Sequence, residues 1–219
     1  MKTSNILILS FVALSVVLTV VATSKVISTL KEAKERSVAI KQDKLGMKEF
    51  SFSPCQSLTV EGANSLNVEV RMGSSARTAV FVEDAYKNEI AASVSDGALT
   101  VSSKIKNEDV HAMVIVEMPQ LQRVLLNDAR CTIDSLVADQ LEMKLSGNSD
   151  LSIIKGSVQT LNYTGTGNSS GSIGGQVKVP AWNILLNDNA NLDGVSPNSK
   201  LSMNVTGNAN VNLKNGRNE

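Results

Sequence analysis

Over the last hundred residues apolar and polar positions alternate in short bursts, and every burst stops at the same kind of punctuation. The stops are Asn127-Asp128-Ala129, Ser146-Gly147-Asn148, Thr166-Gly167-Asn168, Asn187-Asp188-Asn189 and Thr206-Gly207-Asn208. Their middle residues lie 19, 20, 21 and 19 apart, a near-constant period that marks units stacking on one another. Counting back from each stop in steps of two gives apolar rows: Val124 and Leu126; Leu141, Met143 and Leu145; Leu161 and Tyr163, followed by Gly165; Trp182, Ile184 and Leu186; Leu201, Met203 and Val205. Period two is one face of a strand, so the polar residues between, such as Glu142, Lys144, Asn162, Asn183, Ser202 and Asn204, are predicted to face water. Leu125 and Leu185 break the alternation.

A second apolar set follows each stop: Cys131 and Ile133, Leu151 and Ile153, Ile173, Leu192, then Val211 and Leu213. Cys131 and Ile133 arrive one residue early, which assigns the first 19-residue interval to a shortening at the turn. Each unit therefore reads strand, corner, strand, corner, the size of one coil of a parallel β-helix. Gly, Asn and Asp suit such corners because they enter left-handed backbone at small cost. Stacking would bring the Asn side chains into a column where amide ladders form. Residues 214–219 are polar and charged, as expected of a cap on the last open edge. An antiparallel sandwich is the alternative, but it would not require the same corner residues at a fixed period.

Between residues 48 and 118 the runs are shorter. Leu66, Val68 and Val70 lead through Gly73-Ser74-Ser75 to Thr78, Val80 and Val82, read as two strands joined by a turn. Runs at 90–94 and 98–101 flank Ser95-Asp96-Gly97, a hairpin signal because Asp-Gly tolerates positive φ. A strand over 111–118 is closed by Pro119, which cannot donate to a ladder.

At the amino terminus, residues 6–22 are almost continuously apolar and no charge occurs from Thr3 to Ser24. The run is at the lower edge for spanning a bilayer and longer than the usual signal-peptide core, so residues 1–24 read as a membrane anchor or a cleaved signal, with the uncleaved anchor preferred. Lys25, Lys31, Lys34 and Arg36 follow it and only Lys2 precedes it, which opposes the positive-inside tendency for an exported C-terminal part. Residues 25–47 lack Gly and Pro until Gly46 and favour a charged helix, a stalk of about 30 Å if the anchor is retained. The expected organisation is thus an anchor or signal at 1–24, a helical stalk at 25–47, hairpin-rich strands at 48–118 and the β-solenoid at 119–219, an all-β domain behind a membrane and juxtamembrane helix.

Composition narrows the chemistry. Lys plus Arg and Asp plus Glu each total 21, which leaves no footprint for nucleic acid. Aromatics are 3% of the 219 residues, and of those with polar tips Tyr86, Tyr163 and Trp182 read as core or rim. Cys55 and Cys131 lack metal or redox spacing; they could pair in an oxidising compartment, but Cys131 falls on a core row. His111 is the one histidine and reads as structural. Asp150, near the Asn148 corner, offers a thin case for calcium without the nonapeptide calcium repeat. Asp128 and Asp188 share a corner three coils apart, about 14 Å at a strand spacing of about 4.8 Å, whereas a glycosidase pair needs roughly 5 to 9.5 Å. No catalytic, cofactor-binding or metal residues are therefore assigned.

The strand Val114-Ile115-Val116-Glu117-Met118-Pro119-Gln120-Leu121, followed by the recurrent line best seen at Leu145-Ser146-Gly147-Asn148, resembles the auto-transporter adhesin, head GIN domain family, common in Bacteroidetes. The resemblance covers residues 50–215, and Asp128 and Asp188 depart from the usual glycine. It implies β-helical solenoids and an adhesin role, and it carries no catalytic residues. The expected function is a non-enzymatic, exported cell-envelope module, periplasmic or extracellular, that adheres or binds. Its partners would be the membrane, through residues 6–22, and an envelope protein or glycan. The alternatives are a carbohydrate-active β-helix enzyme, by analogy of fold, and a purely structural envelope protein.

Overall fold

The computed structural model describes residues 44–62, 65–105, 111–195 and 199–214. The predicted anchor or signal and nearly all of the predicted stalk lie outside the described residues. Residues 44–46 form a turn that ends at Gly46 with φ 79°, and the first strand starts at Met47. The compact unit begins at Gly46.

The described residues form fifteen strands and no helix: β1 (Met47–Phe52), β2 (Ser57–Glu61), β3 (Leu66–Met72), β4 (Thr78–Glu83), β5 (Ile90–Ser95), β6 (Ala98–Ser103), β7 (Ala112–Met118), β8 (Arg123–Asn127), β9 (Arg130–Ser146), β10 (Asp150–Gly165), β11 (Ser170–Lys178), β12 (Ala181–Leu186), β13 (Asn191–Val195), β14 (Lys200–Val205) and β15 (Asn210–Lys214). They pair as two ladders joined through the long strands β9 and β10. The first ladder runs β1, β4, β7, β3, then the first halves of β9 and β10, then β11, β13 and β15; the second runs β5, β6, β2, β8, then the second halves of β9 and β10, then β12 and β14.

Past β7 and β6 every pairing is parallel, and from β8 and β9 onward each strand lies beside the one about 20 residues later in sequence. Leu145 stands beside Leu126, 19 residues earlier, and Leu151 beside Cys131, 20 residues earlier. The predicted shortening at the first turn is therefore real. The strands of 48–118 are not a separate layer: β2 and β3 pair in parallel with β8 and β9. Asp96 and Gly97, at φ 51° and 74°, join β5 to β6 as the expected hairpin. The two strands read on either side of Gly73-Ser74-Ser75 form and are joined by a turn, but they do not pair with each other. β3 pairs in parallel with β7 and β9, whereas β4 pairs antiparallel with β1 and β7. The turn at 73–77 therefore carries the chain across β7 instead of folding β4 onto β3, and β4, buried from Thr78 to Val82, lies between β1 and β7.

All five corners carry their middle residue in left-handed backbone: Asp128 at φ 49°, Gly147 at 66°, Gly167 at 70°, Asp188 at 61° and Gly207 at 72°. Asp replaces Gly twice without changing the geometry, consistent with the tolerance of short polar side chains for this region. A small buried residue follows each of the first four turns, at Ala129, Ser149, Ser169 and Ala190, where the chain crosses from one ladder to the other. Beside these turns Asn168 donates to Asn148, Asn189 to Asn168 and Asn208 to Asn189, at 3.0, 3.0 and 3.3 Å, so the predicted amide column forms.

The inward rows of both ladders meet in one hydrophobic cluster. Two of the repeat units fill it unlike the others. In the middle row, Met143 and Ile184 have Leu151 and Leu192 for company, but Tyr163 stands where a Cβ on Gly171 would lie 2.7 Å from its Cε2 and Oη. One repeat unit on, the indole of Trp182 faces Gly194, whose Cβ would lie 3.1 Å from Cη2. A ring on one ladder is thus matched by a glycine on the other, as close packing requires where the ring would otherwise meet a side chain. Both polar tips are satisfied, Tyr163 donating to the Asn191 carbonyl at 3.2 Å and Trp182 to that of Val179 at 3.0 Å.

Candidate binding face

Strand register decides which polar side chains share an outer surface. On the second ladder, one column runs Ser57, Arg123, Glu142, Asn162, Asn183 and Ser202, and its neighbour runs Thr100, Thr59, Leu125, Lys144, Thr164, Leu185 and Asn204. Eight strands side by side, at about 4.8 Å each, make a face some 34 Å long. Hydroxyls and amides dominate it. Leu125 and Leu185, the two residues that broke the alternation, are its apolar exceptions, and Leu185 is exposed.

The centre of the face is charged. Glu142 accepts from Arg123 Nε at 2.6 Å and from Lys144 Nζ at 2.7 Å. The Lys144 ammonium, followed by the Arg123 guanidinium, holds the Glu142 carboxyl below its usual range, against the opposing pull of partial burial. A shallow depression of about 390 Å³ opens beside this cluster, lined by Ser57, Gln122, Arg123, Gln140, Glu142 and Asn162. A second, of about 250 Å³, lies farther along, where Asn183 donates to Asn162 at 2.8 Å. Such a surface offers donors and acceptors at rung spacing, with one compact group of paired charges, and no aromatic ring among the residues of its two columns to stack on a sugar.

The residues singled out for chemistry are dispersed. Asp128 Oδ1 accepts from the Asn148 N–H at 2.8 Å, and Asp188 Oδ2 from the Gly167 N–H at 3.1 Å, so Asp128 ties its turn to the one after it and Asp188 ties its turn to the one before. Asp150 is exposed beside Arg130, at 3.4 Å. His111 is exposed one residue before β7. Among the described residues no three His, Cys, Asp or Glu side chains converge on a metal position. Cys55 and Cys131 are free thiols in the core, and burial pushes the Cys131 thiol up to about 12. Trp182 and Tyr163 are core residues, as expected, and Tyr86 packs against the core from its margin. Period-two reading found the outward residues singly; their columns could not be drawn without the register that pairs Asn162 with Asn183 and Arg123 with Glu142.

A family model described as "Putative auto-transporter adhesin, head GIN domain" matches residues 58–217. Among solved structures, the chain is similar to one titled a putative adhesin from Bacteroides fragilis, at 13% identity and TM-score 0.54, covering 77% of this chain and 97% of that one. It is also similar to one titled a putative adhesin from Parabacteroides merdae, at 15% identity and TM-score 0.43, covering 77% and 95%. The first likeness is one of fold. No curated protein sequence matches the chain.

Proposed function

The chain belongs to the family described as putative auto-transporter adhesin, head GIN domain, and from that premise we propose that it is a non-enzymatic cell-envelope binding module built as a β-solenoid. Its coils are the 19- to 21-residue units, a reading supported by their parallel register and left-handed corners. Its ligand is an extended protein or glycan of the envelope or of a neighbouring cell surface. The observation that carries the proposal is the outer face of the second ladder, where hydroxyls, amides and the Arg123–Glu142–Lys144 cluster stand in register. A ligand with repeated hydrogen-bonding groups can meet several rungs at once, and many weak contacts on a rigid surface lose little entropy on binding. Residues 6–22 tether the module to the membrane in this account.

Residues 46–219 should capture an envelope polymer or surface protein in pull-down from envelope fractions and on glycan arrays. Thr164→Lys with Asn183→Lys should weaken capture at least tenfold, an estimate that takes desolvated polar contacts at about 1 to 3 kcal/mol, whereas Ser152→Lys with Ser172→Lys, on the outer side of the first ladder, should leave it unchanged. Capture of nothing, or equal loss in both variants, would count against the face.

A further inference from the structure

Two of the surface depressions run into each other. The one of about 390 Å³ beside the charged cluster shares Gln122 and Gln140 with a larger one of about 440 Å³, which continues over Gln120, Val137 and Asp139. Joined, they make one cleft at the margin of the second-ladder face. It crosses β2, β8, β9 and β10 at Ser57, Arg123, Glu142 and Asn162, which stand in register. Its walls carry more donors than acceptors. Arg123 engages Glu142 through Nε and keeps both terminal nitrogens of the guanidinium for a ligand. Gln120 Oε1 already accepts from Gln56, at 3.2 Å, and Asn162 Oδ1 from Asn183, at 2.8 Å, so each presents its amide N–H groups. Gln122 and Gln140 are exposed, and among the described residues neither side-chain amide has a hydrogen-bond partner. In the cluster the two cations Arg123 and Lys144 outnumber the carboxylate of Glu142, and Asp139 lines only the larger depression.

We propose that this cleft takes an acidic sugar, a uronate residue within an envelope glycan, with its carboxylate on the terminal nitrogens of Arg123 and its hydroxyls on the glutamine and asparagine amides. The assignment rests on the second-ladder face being the binding surface and narrows what that surface selects. A donor-rich wall calls for an acceptor-rich ligand, and a planar guanidinium fork meets a carboxylate through two parallel bonds. Glu142 keeps its own bonds to Arg123 Nε and Lys144 while the fork is occupied. With no aromatic ring in the two columns to stack on a pyranose, charge and hydrogen bonds do the selecting. Hydroxyls both donate and accept, so Asp139 and the glutamine oxygens are met as well. An acidic peptide suits the cleft less. Laid across the strands, an extended peptide repeats its same-face groups at about 6.6 to 6.8 Å and falls out of step with rungs about 4.8 Å apart, whereas a pyranose chain advances about one ring per rung.

The test is calorimetric titration of the full chain, in detergent micelles, with oligogalacturonate, with its methyl ester and with oligoglutamate. Oligogalacturonate should bind roughly tenfold tighter than the ester, which differs only in the lost charge. Arg123→Gln should abolish that difference, whereas Arg130→Gln, likewise exposed and paired with one carboxylate, should leave it intact. Glu142→Gln should tighten the acid and leave the ester unchanged, a response that a merely structural role for the cluster would not produce. Gln122→Ala with Gln140→Ala should weaken acid and ester alike. Equal affinities for acid and ester, a preference that survives Arg123→Gln, no binding of either sugar, or tighter binding of oligoglutamate would each overturn the acidic-sugar assignment. None of these sinks the face itself, which stands or falls with envelope capture and its loss in the Thr164→Lys, Asn183→Lys variant.

Discussion

Exchanging the unusual pair in the core tests the coil-by-coil packing quantitatively. Gly171→Leu places a Cβ about 2.7 Å from Cε2 and Oη of Tyr163 and three further carbons beyond it. The ring cannot retreat, since Tyr163 lies buried between Met143 and Ile184 in the parallel register and donates to the Asn191 carbonyl. Overpacking by a single group costs about 1 to 3 kcal/mol, and four carbons against a held ring should exceed that range, so a loss of at least about 3 kcal/mol is expected. Tyr163→Met alone removes the ring and the hydrogen bond, for about 2 to 4 kcal/mol of cavity and about 1 kcal/mol of unpaired carbonyl. The double variant reproduces the Met143 and Leu151 pair of the preceding coil and should return to within about 1.5 kcal/mol of the wild type. Urea denaturation of residues 46–219 with constant m would read the cycle. A coupling energy near zero, with the two losses simply adding, would refute the claim that these positions exchange volume across the core.

Leu145→Asp should abolish cooperative unfolding by placing an unpaired carboxylate in the core, while Lys144→Asp, one residue away and outward, should change stability by less than about 1 kcal/mol; equal effects would contradict the assigned faces. Ser169 is buried and its Oγ finds no partner, unlike Ser149, which donates to the Ser146 carbonyl at 2.6 Å. Ser169→Ala should therefore stabilise by about 1 kcal/mol and bring that corner into line with Ala129 and Ala190, whereas Ser149→Ala should destabilise, both read by thermal melts. The folded state lowers the Glu142 carboxyl, so its contribution is present above the ordinary glutamate range and is lost as pH falls through it. The melting temperature of the wild type minus that of Glu142→Gln should shrink between about pH 5 and pH 3, and a difference that stays constant or grows would reverse the sign of that coupling.

Corners were the most legible part of the chain, because left-handed backbone admits few residues and Asp128, Gly147, Gly167, Asp188 and Gly207 are drawn from those few. The inward rows were legible for the same kind of reason, a period of two in which one slip would reverse every face. Partner strands were less so. The run at 78–82 looks the same whether it turns back on β3 or crosses to β1 and β7, because an apolar run records burial and not the identity of its partner strand. Ring and glycine compensation was hidden because Tyr163 and Gly171, like Trp182 and Gly194, are neighbours across the core and each glycine viewed alone looks like a gap in the pattern. The binding face was hidden more deeply: Ser, Thr and Asn on an outward strand are what solvent alone would select, and they become a surface only when register sets them in columns.

Distances along one column test the stacking of the coils most directly. With paired spin labels on the second ladder, Leu125 to Asn204 spans four rungs and Thr100 to Asn204 six. At about 4.8 Å per rung the backbone separations should be near 19 and 29 Å, rising in proportion to rung number. Dipolar spectroscopy giving that proportionality would support a stack of parallel coils, and separations that fail to grow from Leu125 to Thr100 would contradict it.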